Sequence, residues 1–330
     1  MLSLFRTNQL VANALLIFYI LLLRFSSFIV APPEHVVEHA GLLSANLYNF
    51  VDPNSSLSQA LAIVLVFMQA FLINIITARF RIARTVSLFP GLFYVLLTSF
   101  FPEFLYLSPV LLANTFIILA LYEILGSYKQ YYSNGRIYNA GLWVGLASLF
   151  YFSTLIFLAA LFITFIIVRA FKLKEQLGML LGFVSPFWLV AVYYYTKGQL
   201  PRFWDQAWNN NIGWFDLSLS DLWIDYIQLG VFGLFILIAI LSYRTYTYKV
   251  SIQAQKFIDV FFWFLAFTAL TVLIQANIRL DHLLLLAVPL SFLIGMSFLY
   301  MNKRLAEALH FLLLAGIFLL QFKSFWYMGN

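Results

Sequence analysis

The sequence contains no cysteine, and only 10% of its 330 residues are charged. The absence of cysteine excludes disulfide bonds, thiolate nucleophiles and cysteine-ligated zinc or iron–sulfur centres. The low charge content excludes an ordinary soluble domain, in which about a quarter of the residues are charged, and the high apolar content excludes a disordered chain. Side-chain acid–base chemistry therefore depends mainly on 13 acidic residues and 4 histidines.

Hydrophobic residues make up 63% of the chain, and the mean hydropathy is +0.92. These values are typical of a polytopic membrane protein, because a helix needs about 20 apolar residues to cross a bilayer. Apolar runs separated by basic clusters predict an all-α transmembrane protein with about eleven spans. The predicted spans are 10–30, 57–78, 87–101, 105–125, 138–151, 152–168, 176–195, 225–243, 257–276, 281–300 and 306–322. We expect residues 1–330 to form a single transmembrane domain.

Lysine and arginine collect in alternate loops of this arrangement, which indicates an orientation because cytoplasmic loops accumulate them. One side takes 14 of the 19 basic residues, so the N-terminus is predicted inside and the C-terminus outside. The acids show the opposite bias, with 9 of 13 on the outer side. The basic excess is a feature of topology with some attraction to anionic lipids, so we expect no nucleic-acid partner. A bacterial-type inner membrane is the expected location.

Three outer segments can carry a site: the first outer loop at 31–56, a second segment at 196–224 and a tight turn at 277–282. Aromatic residues are 19% of the chain, and four tryptophans crowd the second segment, namely Trp204, Trp208, Trp214 and Trp223. Tryptophans at this depth form an interfacial belt, or alternatively a stacking surface for a sugar or a lipid headgroup. We expect the chemistry of the protein on this outer face.

The first outer loop contains Pro-Pro-Glu-His-Val-Val-Glu-His-Ala-Gly at 32–41, which predicts a short helix along the membrane interface. Glu34 and Glu38 are four residues apart, as are His35 and His39, so each pair lies on one face. Two carboxylates could share a divalent metal ion, or one could act as a base that the other tunes. The same residues form the inverted zincin pattern H-x-x-E-H, with both histidines as zinc ligands and Glu38 as base. Alternatively, this helix is simply amphipathic and its polar side chains face water.

Two charged residues lie at the outer ends of predicted spans. Glu103 follows Pro102 and is either an ordinary loop charge or a second acidic group that approaches the first loop. Arg24 lies within the outer part of the first span, where an arginine is costly unless it is paired or reaches a polar cavity. Its partner is either an acid, such as Glu34 or Glu38, or a lipid phosphate. The first alternative makes Arg24 structural and the second makes it functional.

Further candidates lie in the other outer segments. Arg279 runs against the positive-inside rule, and it is either a phosphate ligand or a charge neutralised by Asp281. Arg202, in the second outer segment, is a further candidate for binding phosphate or lipid. His282 and His310 stand alone in apolar surroundings, and such histidines are usually packed or hydrogen-bonded.

The order of these features resembles the GT-C superfamily of integral-membrane glycosyltransferases. In that fold the first helix leads into a large outer loop with a juxtamembrane helix and a catalytic acid, followed by a basic inner loop and helical hairpins. The parallels cover nearly the whole chain. They are Glu34 and Glu38, the basic run at 79–84, the helix start at 108–114, the segment at 140–147, Pro186, and Arg279 leading into 283–289.

The resemblance implies transfer of a sugar from a polyprenyl-phosphate donor to an acceptor on the outer face. Glu38 or Glu34 would match the first-loop acid that deprotonates the acceptor, and Glu103 would match the second-loop acid. Arg279 or Arg24 would bind the departing phosphate, since fixed positive charge stabilises a developing anion. A divalent metal ion is the cofactor that the paired carboxylates would accept.

Other functions stay open beside this one. A non-catalytic scaffold or accessory subunit of a membrane protein complex would present an apolar, small-residue-rich helix face to its partner. A transporter would need broken helices and paired intramembrane charges in repeated halves, and a metalloprotease would need a third zinc ligand. The enzyme hypothesis predicts that four side chains converge around a lipid-lined outer cavity, namely Glu34, Glu38, Glu103 and Arg279.

Overall fold

The computed structural model describes residues 2–6, 10–29, 41–48, 51–52, 55–205, 216–217, 223–248, 250–272, 277–278 and 280–322. Regular structure in these ranges is almost entirely helical, which confirms the all-α prediction. The α-helices are α1 (Leu2–Phe5), α2 (Leu10–Leu23), α3 (Leu42–Tyr48), α4 (Ser56–Phe80), α5 (Phe89–Leu97), α6 (Pro109–Gly126), α7 (Asn134–Phe150), α8 (Phe157–Val168), α9 (Leu173–Thr196), α10 (Leu200–Trp204), α11 (Trp223–Leu241), α12 (Tyr243–Thr247), α13 (Ile252–Thr271), α14 (Ala287–Tyr300) and α15 (Lys303–Gln321). Two short strands, β1 (Asp216–Leu217) and β2 (Asn277–Ile278), pair in parallel.

Six helical stretches in the described part are long and apolar enough to cross a membrane. They are Ser56–Phe80, Pro109–Gly126, Leu173–Thr196, Ile252–Thr271, Leu280–Tyr300 and Lys303–Gln321. Shorter apolar helices occupy Ala12–Leu23, Phe152–Val168 and Tyr226–Leu241. The third predicted span, 87–101, contains only the nine-residue helix α5. At 1.5 Å per residue α5 is about 14 Å long, whereas the bilayer core is about 30 Å thick.

Large apolar side chains cover the outside of the bundle. Leu181 and Trp188 of α9, Leu241 of α11, and Phe311 and Leu312 of α15 all expose more than half of their surface. So much exposed apolar surface is unfavourable in water and favourable against lipid tails. Together with the long apolar helices, it indicates a helical integral membrane protein.

Serine side chains begin several of the helices. The Oγ of Ser108 accepts a hydrogen bond from the backbone N–H of Leu111 at 3.1 Å, and Pro109 takes the first helical position. Ser55 and Ser251 cap α4 and α13 in the same way. Serine caps and an N-terminal proline satisfy or remove the N–H groups that a helix start leaves without partners. The predicted helix start at residues 108 and 109 is confirmed.

Arginine side chains tie together the loops at one end of the bundle, which we call the basic end. Each donates to a carbonyl of a distant segment: Arg6 to Leu299, Arg84 to Tyr248, and Arg169 to Ser127. Helices that begin at the basic end finish at the opposite end of the bundle, where the chain passes to the next helix. These connections follow α2, α5, α7, α9 and α13.

Helices α7 and α9 pack with their backbones almost in contact. A Cβ atom added to Gly141 would lie 2.1 Å from the carbonyl oxygen of Met179. One added to Gly182 would lie 2.1 Å from the carbonyl oxygen of Tyr138, and Gly145 is similarly enclosed. Small residues four apart on a helix permit this approach, which is common between membrane helices. The glycines therefore set the distance between α7 and α9.

Helix α9 continues through an internal proline. Pro186 has no N–H to donate to the carbonyl of Gly182, four residues earlier. The hydroxyl of Ser185 donates to that carbonyl at 2.8 Å. A serine side chain thus replaces the missing backbone donor, which is how membrane helices tolerate proline.

Helix α14 is buried on all sides. Every residue from Ala287 to Leu299 is buried, and α14 packs closely against α5. A Cβ atom on Gly295 would lie 2.8 Å from the backbone nitrogen of Pro90. The rings of Phe93 and Phe298 have their centroids 4.3 Å apart. A helix that is apolar all round belongs in the interior, and α14 packs against α5, α11 and α13.

Candidate functional site

In the described ranges four short 3₁₀ helices interrupt the chain at the end opposite the basic end, and we call them the four 3₁₀ segments. They are Phe25–Phe28, Pro102–Leu105, Phe152–Ile156 and Leu280–Leu286. The second packs against the fourth. The residue just before the first segment, Arg24, donates to the second, and the residue just before the third, Tyr151, is hydrogen-bonded to the fourth. Irregular backbone at membrane depth is tolerated only where protein or a cavity covers it, and 3₁₀ stretches often mark functional regions. We therefore take this junction as the candidate site.

Arg24, which immediately precedes the first 3₁₀ segment, holds the connection between α5 and α6. Its side chain has 0% exposure. Nη1 donates to the carbonyl of Leu105 at 2.7 Å, and Nη2 donates to those of Thr98 and Phe104 at 3.0 and 3.1 Å. These carbonyls lie where the helical hydrogen-bond pattern is broken, so the guanidinium supplies donors that the backbone does not. In the described part of the chain Arg24 is a structural clamp on this connection.

A glutamine from α15 binds the same connection from another side. Nε2 of Gln321 donates to the carbonyl of Ser99 at 2.8 Å. The hydroxyl of Ser26 donates to Oε1 of Gln321 at 2.8 Å. Side chains from α15 and from the first 3₁₀ segment therefore both help to satisfy the polar backbone of the connection.

Deeper in the bundle, buried amides join the helices around the connection. Gln69 of α4 donates through Nε2 to the carbonyl of Leu111 and accepts through Oε1 from the hydroxyl of Tyr94, both at 2.7 Å. Nδ2 of Asn114 donates to the carbonyl of Leu284 at 2.9 Å. Buried networks of this kind make the packing specific when their members are satisfied. The sequence analysis missed them, and their only mark in the sequence is a polar amide inside an apolar run.

His282 connects the third and fourth 3₁₀ segments. Its Nδ1 lies 2.7 Å from the hydroxyl of Tyr151, and its Nε2 lies 2.8 Å from the hydroxyl of Thr271. His310 similarly lies 2.8 Å from the hydroxyl of Tyr19. The expectation that these histidines are packed and hydrogen-bonded is confirmed. Both ring nitrogens of His282 are engaged, so this side chain has no nitrogen available for a metal ion.

Glu103 lies on the second 3₁₀ segment, within the clamped connection. Its side chain is partly exposed, and its carboxylate atom Oε2 is buried. Burial, together with the negative charge of Glu103, raises the pKa of the nearby Tyr106 to about 12. The Tyr106 hydroxyl therefore stays protonated well above neutral pH and can donate a hydrogen bond. The connection presents a carboxylate and a neutral phenol close together in a partly dehydrated environment.

Described parts of the three outer segments meet around this junction. The hydroxyl of Tyr48, in the first outer loop, donates to the carbonyl of Leu107 at 3.2 Å. β1 of the second outer segment pairs with β2 of the tight turn, with Asp216 opposite Asn277. The fourth 3₁₀ segment, which begins in the tight turn, packs against the segment that carries Glu103. Backbone elements that the sequence analysis placed on one face are thus close in space.

The predicted site residues divide into two groups. Arg24 and Glu103 have described side chains: Glu103 lies in the α5–α6 connection, and Arg24 follows α2 and binds that connection. Among the described residues Arg24 has backbone carbonyls as partners, and its pairing with Glu34, Glu38 or a lipid phosphate stays a prediction. Arg202 belongs to α10, and its side chain is not described. The others lie outside the described residues, namely Glu34, Glu38, His35, His39 and Arg279, as does most of the helix predicted over 32–41. Their convergence with Glu103 stays a prediction.

Metal binding is a hypothesis about the first outer loop. Within the described ranges no group of three His, Asp or Glu side chains is close enough to hold a metal ion. His35, Glu38 and His39, which form the H-x-x-E-H pattern, are not in those ranges. The zinc hypothesis and the shared divalent ion therefore stay predictions.

The tryptophans of the second outer segment are described only in part. Trp204 ends α10 with more than half of its surface exposed, and Trp223 begins α11. Trp208 and Trp214 lie outside the described residues. An exposed indole at this end suits an interfacial belt and a sugar-stacking surface equally, so both interpretations stay open.

The fold defines a class, the helical integral membrane proteins, with a polar junction of broken helices at one end. Comparison of the chain with protein-family models, curated proteins and solved structures found no match. The function therefore has to be argued from the junction itself, that is, from Glu103, Tyr106 and the clamp formed by Arg24.

Proposed function

We propose that this chain is a GT-C-like integral-membrane glycosyltransferase, which transfers a sugar from a polyprenyl-phosphate donor to an acceptor on the outer face. In this proposal the short helices cross together with the long ones, giving about eleven spans with the N-terminus inside and the C-terminus outside. The junction of 3₁₀ segments faces outward, and the basic end faces the cytoplasm of a bacterial cell, as the positive-inside rule requires.

One observation supports this proposal above the others, namely the carboxylate of Glu103 on a 3₁₀ segment where four such segments meet. Its Oε2 atom is buried, and Tyr106 beside it is a neutral hydrogen-bond donor. Acidic side chains at membrane depth are costly and are kept mainly for function. A carboxylate in this position could accept the proton of an acceptor hydroxyl as a general base.

The reaction needs a base for the acceptor and positive charge for the departing phosphate. We assign Glu103 as the base or as the acid that orients it, acting with a first-loop glutamate. We assign Arg279 to the phosphate, with Arg202 as a second candidate. Arg24 is a positioning residue, because its nitrogens hold the backbone that carries Glu103. Donor lipid would reach the junction from the bilayer between the helices.

A transfer assay with the purified protein in lipid nanodiscs tests the proposal. A panel of polyprenyl-phosphate monosaccharides is supplied as donor, with an outer-envelope extract as acceptor, and released polyprenyl phosphate is measured. The Glu103→Gln variant should release it about a hundredfold more slowly, as expected for the loss of a general base. The matched control is Glu307→Gln, which changes an exposed glutamate of α15 near the basic end.

Thermal unfolding of both variants shows whether the fold is intact. A Glu103→Gln protein that folds normally and works as fast as Glu307→Gln would remove Glu103 from the mechanism. A wild-type protein that releases polyprenyl phosphate from no donor in the panel would contradict the enzyme proposal itself.

A non-catalytic subunit of a membrane protein complex is the second candidate, and the exposed face of α11 favours it. Gly230 and Gly233 have no neighbouring atom where a Cβ would lie, and Leu234 and Leu237 are half exposed beside them. Such a face permits close docking of another helix. Stoichiometric co-purification of a second membrane protein, lost in a Gly230→Leu, Gly233→Leu variant, would support this role. Within the described residues the 3₁₀ segments lie at one end and not in repeated halves, so they give a transporter less support.

A further inference from the structure

A cationic cavity of about 400 Å³ opens at the basic end, far from the 3₁₀ junction. It lies where the loop between α6 and α7 meets the beginnings of α9 and α13. Its charged and aromatic lining consists of Tyr128, Lys129, Tyr131, Arg169, Lys172 and Lys256. The proposed sugar transfer makes no use of these residues.

Arg169 forms part of the wall of this cavity. Nε and Nη2 form a two-pronged ion pair with the carboxylate of Glu175 at 3.1 and 3.0 Å. Nη1 donates to the carbonyls of Ser127 and Gln130, each at 2.7 Å. Paired arginine–carboxylate contacts of this geometry are rigid and specific. Arg169 therefore fixes the loop after α6, and its own charge is balanced by Glu175.

The lysines of the cavity carry the unbalanced charge. The Nζ atoms of Lys129 and Lys256 lie 5.5 and 5.7 Å from the ring centroid of Tyr128. Lys172 lies 3.7 Å from Glu175, whose carboxylate it shares with Arg169, and its side chain is 59% exposed. The residues that line the cavity include no acid. A buffer anion or a ligand with negative charge is thus the natural counter-ion of this site.

We propose that this cavity binds the phosphate-containing headgroup of an anionic membrane lipid. Basic pockets between membrane helices near the bilayer surface have the charge and position for such headgroups. Phe171 and Leu173, on either side of Lys172 in sequence, are 59% and 66% exposed, so apolar surface for an acyl chain adjoins the charges. Tyr131 is 84% exposed, and its ring lies 4.9 Å from that of Tyr132, as expected for aromatic residues at the membrane interface.

The test compares two double variants that lose the same charge. The cavity variant is Lys129→Asn with Lys256→Gln. Asparagine is chosen at 129 because this residue has φ +55°, a left-handed conformation that asparagine tolerates. The control variant is Lys174→Gln with Arg304→Gln, two exposed residues of the basic end that do not line the cavity.

Each protein is extracted from bilayers that contain a minority of phosphatidylglycerol in phosphatidylcholine, and the retained lipid is identified by native mass spectrometry. The wild type and the control should retain phosphatidylglycerol. The cavity variant should retain about thirtyfold less phosphatidylglycerol, which corresponds to about fivefold for each lysine removed near the membrane surface. Equal retention by all three proteins, or equal loss by the control, overturns the proposal.

Inorganic phosphate distinguishes a lipid from a free anion. Excess inorganic phosphate should displace phosphatidylglycerol from the wild type, because both offer the same chemical group to the lysines. Thermal stabilisation of the wild type by inorganic phosphate, without any selective retention of phosphatidylglycerol, would show that the cavity binds a free anion and would refute the lipid assignment.

Discussion

Replacing Arg24 with leucine would test whether the α5–α6 connection depends on a single side chain. Leucine occupies part of the same volume but has no hydrogen-bond donor. The carbonyls of Thr98, Phe104 and Leu105 would lose the guanidinium that binds them. Because Glu103 lies in the same connection, the perturbation should affect both the stability of the fold and the geometry of the candidate site.

The expected loss can be bounded from the three hydrogen bonds. Hydrogen bonds between membrane helices contribute about 0.6 kcal/mol each, which gives about 2 kcal/mol for three. Hydrogen bonds from a charged donor in a buried site contribute about 1.5–3 kcal/mol each, so on this scale the loss of three bonds exceeds about 2 kcal/mol. Leucine also removes a buried charge whose desolvation is unfavourable, and this offsets part of the loss. We therefore expect Arg24→Leu to lower the free energy of unfolding by about 3 kcal/mol.

Reversible unfolding in mixed micelles of increasing SDS content, followed by the fluorescence of the 8 tryptophans, measures this loss. Arg24→Lys keeps the charge but not the planar fork, so it should lose about 1–2 kcal/mol. Arg244→Leu is the control, because Arg244 is an exposed residue of α12 and its loss should change stability by less than about 0.5 kcal/mol.

Two results would refute this reasoning. A loss below about 1 kcal/mol for Arg24→Leu would mean that water or a shifted backbone satisfies the carbonyls as well as arginine does. Full stability of Arg24→Lys would mean that charge alone matters and that the fork geometry does not. Amide hydrogen exchange across 98–108 distinguishes a local change from global unfolding, since only the former is confined to the connection.

Gly141→Ala should destabilise the protein by about 1–3 kcal/mol, because the new methyl group would overlap the carbonyl of Met179. Gly178→Ala on the facing helix, with open space at its Cβ position, should be neutral or stabilising in the same thermal unfolding assay, and equal losses would contradict the packing argument. His282→Leu leaves two buried hydroxyl groups without their shared partner and should cost about 1–3 kcal/mol, and unchanged stability would exclude a structural role. The pKa of Tyr106 is raised above its ordinary value of 10.0 to about 12, so its contribution to stability is complete below pH 10 and is lost as the pH rises through about 12. Tyr106→Phe should therefore lose stability less steeply with pH in this range, and an unchanged alkaline unfolding curve would show that Tyr106 does not contribute.

Hydropathy predicted the class of the fold but not where its helices break. Residues 87–101 form one apolar run, yet α5 ends at Leu97 and the chain continues as an irregular connection. Hydropathy averages over a window, so Ser99 inside the run and Pro102 just after it had little weight. The cap at Ser108 was predictable because it depends on neighbouring residues alone.

The candidate site was predictable in its charges and not in its contacts. Arg24 and Glu103 stand out because charged residues are rare in apolar segments. The partners of Arg24 are backbone carbonyls. Every residue has a carbonyl, so the residue types in the sequence do not show which carbonyls Arg24 binds. Gln321 was equally hidden, because its role arises only when two segments far apart in the chain come together.

The connection between α5 and α6 also has a consequence for how the protein is made. Arg24 is synthesised before the connection, but Gln321 is synthesised 222 residues after Ser99, whose carbonyl it binds. At about 5–20 residues per second, the interval is roughly 10–40 s. During this time the ribosome is still adding helices, and Ser99 must rely on water or on the insertion machinery. The connection is therefore completed only after α15 has been synthesised, long after its own residues.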